Sequence, residues 1–298
     1  MISIIISSIN KANLAAISSN IKETIGTAYE IIAIENSEGR KGICEVYNLG
    51  VQRAKYDILC FMHEDIAIHT SNWGEIVSST FKNNPNLGLI GIAGSQYKSL
   101  APSGWHCYDI DADIQHYNIV QHYKFSTREK TLEYSNPTDT NLAFVACIDG
   151  VWFCLTREAA EFYSFDAQML KGFHGYDLDL SLGINQKYKV GITFEILIAH
   201  FSEGNFNKAW LREILKVHAK WSSQLPLNLA NLPQNKILKD EKKAFKNIFA
   251  RMWNEGFKLS ELFEMLWKSK TSKLMSPLLF FKLNKHLLKY LFKRRQLS

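Results

Sequence analysis

The chain has 298 residues, 46% of them apolar, which suits one α/β domain with an appendage. Its net charge of +6 is uneven: residues 265–298 carry nine basic and no acidic side chains, whereas residues 1–264 set 26 basic against 29 acidic ones and stand at −3. A slightly acidic body excludes nucleic acid as the main partner, and Cys44, Cys60, Cys107, Cys147 and Cys154, with no C-x-x-C spacing, exclude a disulfide framework or a cysteine zinc site and fit a reducing compartment.

In chain order, Met1 runs straight into an apolar stretch without the basic region of a secretory signal. Residues 2–7 read as a buried strand, and residues 13–24 as a helix with Leu14, Ile17 and Ile21 on one face. Residues 29–34 form a second strand, ending at the polar turn Glu35-Asn36-Ser37-Glu38-Gly39. A helix follows over 43–54, then a third buried strand over 57–62 that runs directly into His63-Glu64-Asp65. The segment 73–83 reads as a helix and 87–93 as a strand. This β-α-β-α-β order predicts a mainly parallel sheet covered by helices, with ligands beyond the carboxyl ends of its strands.

Residues 95–141 are less regular, and 144–155 read as a strand pair around Asp149-Gly150. A loop from 171 becomes a helix at about Asp177, and 190–199 reads as one strand ending at His200. From Lys208 onward the pattern is helical, with Pro226 and Pro233 bracketing a linker. No stretch reaches the roughly 18–20 apolar residues that span a bilayer.

Three places carry chemistry. His63-Glu64-Asp65 follows a strand with no polar residue, where a carboxylate at the sheet edge can hold a divalent metal; a solvated turn or helix cap is the competing reading. Asp177 and Asp179, in Tyr176-Asp177-Leu178-Asp179-Leu180, can serve as general base and acceptor ligand, although aspartate also caps helices. His200, after a buried strand, can be a metal or phosphate partner. The aromatic and polar tips of Trp105, His106, Tyr108, Tyr117 and His122 suit stacking on a sugar face, or ordinary partial burial.

In this order, the pieces resemble the family 2 glycosyltransferases, in particular the bacterial subgroup linked to capsule and surface polysaccharide synthesis. The resemblance runs from Ile2 to about Trp210. Residues 2–8 look like the opening strand, Glu35-Asn36-Ser37 like the nucleoside-contacting turn, and Asn48-Leu49-Gly50 with Ala54 like the N-x-G-x-x-x-A helix segment. Gly150-Val151-Trp152 through Arg157 is similar to the acceptor-side segment, and Tyr176 through Leu180 to the carboxylate motif. Two residues depart from the pattern: His63 stands where many members have Asp, and Tyr176 where Glu is common.

The resemblance implies a GT-A-type fold, α/β with a mixed, mainly parallel sheet flanked by helices, over residues 1–232, and a basic helical extension over 233–298. It implies an inverting, metal-dependent glycosyltransferase that moves a sugar from a nucleotide-sugar, a UDP-sugar, to a saccharide or lipid-linked saccharide in surface polysaccharide synthesis. A non-catalytic scaffold that binds nucleotide or saccharide is the alternative. A nucleotidyltransferase ranks low, because the first strand leads to Ser7-Ser8-Ile9-Asn10-Lys11 without a glycine.

Carried over, Ser7, Glu35, Asn48 and Glu64 are nucleotide-binding, Asp65 and His200 hold Mn²⁺ or Mg²⁺, and Gly150, Trp152 and Tyr176 meet the donor or acceptor sugar. Asp177 is the base, with Asp179 left as the other candidate. The basic tail predicts an amphipathic helix over 276–295 on an anionic membrane surface, which sets the chain in the cytoplasm, on the inner face of the membrane. Packing of that helix on the body, or in an oligomer, is the competing expectation.

Overall fold

A computed structural model describes residues 1–106, 110, 112–124 and 127–294. The elements run β1 (Ile2–Ser8), α1 (Lys11–Thr24), β2 (Tyr29–Glu35), α2 (Ile43–Arg53), β3 (Ile58–Met62), β4 (Ile66–Ile68), α3 (Trp73–Asn83), β5 (Leu87–Gly91), β6 (Ala93–Ser95) and β7 (Tyr97–Lys98). There follow β8 (Gln115–Gln121), β9 (Thr131–Ser135), β10 (Leu142–Phe144), β11 (Cys147–Ile148), β12 (Trp152–Thr156), α4 (Arg157–Phe162), α5 (Tyr176–Ile184), β13 (Lys189–Thr193) and β14 (Ile198–His200). The last are α6 (Lys208–Trp221), β15 (Leu227–Asn228), α7 (Gln234–Asn254), α8 (Leu259–Lys268) and α9 (Pro277–Arg294).

Seven strands form the main sheet in the order β10-β13-β5-β12-β3-β1-β2. β1 pairs in parallel with β2 and β3, and β13 with β5, while β12 runs antiparallel between β3 and β5 and β10 antiparallel beside β13. The expected mixed, mainly parallel sheet is therefore present. Its strands are apolar on both faces because both are covered. Ile2, Ile4 and Ile6 pack with Ile17 and Ile21 of α1 and Trp73, Val77 and Phe81 of α3. Ile5, one residue out of phase, packs toward α2, α5 and the C-terminal helices.

A second sheet, β11-β6-β8-β14-β4 with β9 beside β8, sits beyond the carboxyl ends of the first. Two segments expected as single strands divide between the sheets. Residues 87–93 become β5 and β6, and residues 190–199 become β13 and β14. The expected hairpin around Asp149-Gly150 is not one: β11 pairs with β6 and β12 with β3 and β5. An apolar run long enough for two short strands shows no break at the point where it changes sheet.

The hydrophobic core continues across residue 232. Ile237, Phe245, Ile248 and Phe249 of α7, and Leu283 and Leu287 of α9, share one cluster with Ile5 and Phe61 of the sheet. Glu241 of α7 is fully buried, and its carboxylate accepts from Tyr97 Oη at 2.7 Å, Ser99 Oγ at 3.0 Å, Leu100 N at 2.8 Å and Ala101 N at 3.0 Å. Burial raises its pKa against the opposing pull of those four donors.

The C-terminal helix forms where the lysine and leucine spacing places it. Its apolar side does not face outward as a broad membrane-lying surface: Leu279, Leu283, Leu287 and Tyr290 are buried, and the helix packs against α7 and α8. Arg295, the expected last residue of that helix, lies outside the described residues. Among the described residues, no helix is long and apolar enough to cross a membrane.

Candidate active site

Parallel pairing brings the ends of β1, β2 and β3 to one edge, since Ser8 lies opposite Glu35 and Ile6 opposite Met62. His63-Glu64-Asp65 is the step by which the chain leaves the main sheet at β3 and enters the second at β4. β14 pairs antiparallel with β4 and sets His200 opposite Ile66, one residue from Asp65. Asp65 and His200, more than 130 positions apart in sequence, thus meet through a three-residue ladder.

His63, Asp65 and His200 bring one ligand atom each to within 4.8 Å of one another. Asp65 Oδ1 lies 3.9 Å from His63 Nδ1 and 3.8 Å from His200 Nε2. Its other oxygen, Oδ2, accepts from Ser202 Oγ at 2.7 Å. Burial acts to raise the Asp65 carboxyl, but the Ser202 hydrogen bond and the two imidazoles outweigh it and hold the pKa below the ordinary value. His200 is lowered to about 4 by burial and by the neighbouring His63, so it is neutral near pH 7 with a lone pair to offer. Two imidazoles and a carboxylate, with one carboxylate oxygen held and the other free, fit a divalent cation with open positions. His63 completes this set; its place was not legible because the family pattern has a carboxylate there.

Tyr176 explains how His63 is oriented. Its hydroxyl donates to the Gly150 carbonyl at 3.0 Å and lies 3.2 Å from His63 Nε2. With its proton given to Gly150, the hydroxyl accepts from His63 Nε2–H, which leaves Nδ1 unprotonated and turned toward Asp65. The two departures from the family pattern are therefore hydrogen-bonded partners. Tyr176 is buried and packed edge-on against Tyr47, with ring centroids 5.6 Å apart, so it supports a ligand rather than touching sugar. Gly150 is a glycine for the same reason: a Cβ there would lie 2.2 Å from the Tyr176 hydroxyl.

The two acids of α5 part company. Asp177 opens the helix after Gly175, whose φ of +77° favours glycine, and takes Leu178 N–H at 2.9 Å. Burial, then the charge of Asp149, pushes its carboxyl up to about 7. Asp179, two residues on, is 1% exposed and turned toward α6. It accepts from Trp221 Nε1 at 2.8 Å and Tyr163 Oη at 2.9 Å, and pairs with Lys220 at 2.9 Å. Asp179 is thus a tie between helices, which corrects its place among the catalytic candidates.

Asp149 is a site residue the sequence reading passed over as a turn. Its Oδ2 accepts from Trp105 Nε1 at 2.7 Å and its Oδ1 from Val151 N at 2.8 Å. Its charge acts on both Asp177 and His200. Trp105 and His106 also line a cavity of about 350 Å³ with Phe206, Trp210, Asn247 and Arg251. Tyr117 has its ring 6.3 Å from Trp105, His122 packs on Phe201 at 4.9 Å, and Tyr108 lies outside the described residues. A larger cavity, about 650 Å³, borders α3 and β10 and is lined by none of these residues.

Of the nucleotide candidates, Ser7 is the next-to-last residue of β1, and Glu35 is exposed at the end of β2, where it accepts from Ser37 N at 3.2 Å. Glu64 is buried and holds the β1–α1 loop: its Oε1 accepts from Ile9 N at 3.2 Å and Asn10 N at 2.9 Å, and its Oε2 from Ser8 Oγ at 3.0 Å. It shapes the loop that follows Ser8. Asn48 Nδ2 donates to the Phe165 carbonyl at 2.8 Å and ties α2 to the segment after α4. Trp152 is corrected outright. It is fully buried, its ring 5.9 Å from Trp73, on the face of β12 that packs toward α1 and α3, and it cannot reach a sugar.

The fold that carries this edge has a counterpart among solved structures. The crystal structure of GalNAc-T7 with UDP, GalNAc and Mn²⁺ is similar at a TM-score of 0.50 and 13% identity, covering 86% of this chain and 58% of that one. This chain therefore spans well under two thirds of that longer protein. A197 from STIV aligns over 68% of this chain and 86% of its own, at 13% identity and a TM-score of 0.36. No curated protein sequence matches the chain. The family model described as "Glycosyltransferase like family" matches residues 3–222, about three quarters of the chain, and the protein belongs to that family.

Proposed function

We propose that the protein transfers a sugar from a nucleotide-sugar donor, a UDP-sugar, to a saccharide acceptor with inversion at the anomeric carbon. The observation that carries this is the meeting of His63, Asp65 and His200 at the strand edge where Tyr176 joins them to the segment bearing Asp149 and Asp177. The same set favours Mn²⁺ over Mg²⁺, since imidazole suits the softer ion and Mg²⁺ prefers oxygen. A bound Mn²⁺ would neutralise charge developing on the leaving diphosphate.

The residues of the chain divide the remaining work. Ser7 near the end of β1 and Glu35 at the end of β2 supply polar partners for a nucleoside, beside the β1–α1 loop that Glu64 holds in place. Asp177 takes the acceptor proton as the hydroxyl attacks, and a pKa of about 7 suits a base working near neutrality. Asp149 lifts that pKa and fixes Trp105. The cavity of Trp105, Phe206 and Trp210 offers apolar faces for an acceptor sugar, lipid-linked in a surface polysaccharide pathway, with Arg251 stacked on Trp210 at 4.7 Å. Against the non-catalytic alternative, His63 brings a donor atom within 4.8 Å of those of Asp65 and His200, and Tyr176 lies within hydrogen-bond reach of its ring.

A panel of nucleotide sugars with Mn²⁺, read by thermal shift, tests the reading. The true donor raises the melting temperature by mass action, and only with metal present. Asp65→Ala abolishes the metal-dependent part of that shift. A full shift in the variant, or none with any donor in the parent, would overturn the proposal.

A further inference from the structure

The outer side of α9 is unlike an ordinary solvated helix face. With Leu279, Leu283 and Leu287 buried, the opposite side shows Leu278 at 62%, Phe281 at 65% and Leu288 at 46% exposure. Lys282, Lys285 and Lys289 are exposed between them. At 100° per residue these six side chains share a sector of roughly 120°. Trp267, at the end of α8, is a further exposed aromatic at 55%; its ring lies 5.2 Å from Phe280, with Lys270 Nζ 4.9 Å above it. No acidic residue follows Glu264, which pairs with Lys268 at 2.6 Å.

We propose that this face docks on an anionic lipid bilayer, with Leu278, Phe281 and Leu288 entering the acyl boundary and the lysines meeting phosphodiester headgroups. Alternation of large apolar and cationic side chains on one face decides the occupant. A polyanion such as nucleic acid rewards the lysines and gains nothing from exposed Leu and Phe, whereas a bilayer rewards both. The helix need not leave the body to bind, because the face that docks is not the face that packs. The proposal is independent of the catalytic reading.

Co-sedimentation of the full chain with vesicles of phosphatidylcholine and phosphatidylglycerol, at low salt, is the test. The parent sediments with these vesicles and not with phosphatidylcholine alone. Each lysine near an anionic leaflet is worth roughly a fivefold gain in partitioning, so K282Q/K285Q/K289Q binds roughly 100-fold more weakly. F281S/L288S binds roughly tenfold or more weakly at unchanged charge. Both variants keep the parent's melting temperature, since their side chains are exposed. A parent that ignores anionic vesicles, or a lysine variant that binds undiminished, overturns the proposal. So does an F281S/L288S variant that binds like the parent, because the patch is then a simple polyanion site.

Discussion

Tyr176 and His63 are best tested together. If the Tyr176 hydroxyl sets the imidazole tautomer, Tyr176→Phe should weaken Mn²⁺ binding by about 10-fold, the lower end for loss of a group that orients a ligand. Titration calorimetry with Mn²⁺ in the presence of UDP reads this directly. Asp177→Asn should keep donor binding and lose roughly 10²- to 10⁴-fold in turnover. In the parent, kcat/KM should rise with pH as Asp177 ionises at about 7. The sign for stability is opposite. A carboxyl whose folded pKa lies above its ordinary 3.8 takes up a proton on folding, so it destabilises the fold as pH rises toward 7. Asp177→Asn should therefore be more stable than the parent at about pH 8, on the order of 2 kcal/mol given partial exposure, with the gap closed below about pH 4. Denaturant melts at both pH values check it. Asp179→Asn should do the reverse, losing about 2 kcal/mol of stability through its charged hydrogen bonds while keeping turnover in the folded fraction.

At the scale of elements, α9 is the clearest case. Leu283→Ala should cost about 3 kcal/mol, seen as a fall in the denaturant midpoint at constant slope, because the side chain is fully buried between helices. Lysine spacing announced this helix in the sequence but could not say which apolar side it buries. With leucine or phenylalanine on nearly every remaining position, only the neighbours α7 and α8 decide. β12 posed the same difficulty. Its residues are apolar on both faces, so Trp152, within the segment that resembles the acceptor side, read as a sugar contact although the pleat turns it into the core. Strands with polar ends were easier. β1, β2, β3 and α3 were legible to within a residue or so because a turn signal or a cap stands at each boundary. The ladder between β4 and β14 was beyond reach, since pairing of two three-residue strands leaves no periodicity to read. His200 was found by resemblance, and its contact with Asp65 by the fold.

For the molecule as a whole, the extension and the site are coupled through one carboxylate. Glu241→Ala would leave the amides of Leu100 and Ala101 and the hydroxyls of Tyr97 and Ser99 without their acceptor. A loss of about 3 kcal/mol is expected from two or more stranded buried donors, together with loosening of the segment that ends at Trp105. A raised KM for acceptor with donor binding unchanged would register that loosening.

Glu241 also constrains how chains of this kind can diversify. The residues that line one wall of the Trp105 cavity and the helix that lines the other must match as a unit, because the helix carries the acceptor for the wall's own backbone. A chimera joined anywhere between Ala101 and Glu241 unites donors from one parent with an acceptor from the other. It folds well only if the second parent keeps a carboxylate at that position. Joined before Tyr97, the cavity travels whole with its tail, but the candidate metal donors His63 and Asp65 are parted from His200. Shuffled libraries should accordingly recover folded recombinants from crossovers at the apparent linker near Pro226 and Pro233 only where the second parent supplies a carboxylate at position 241.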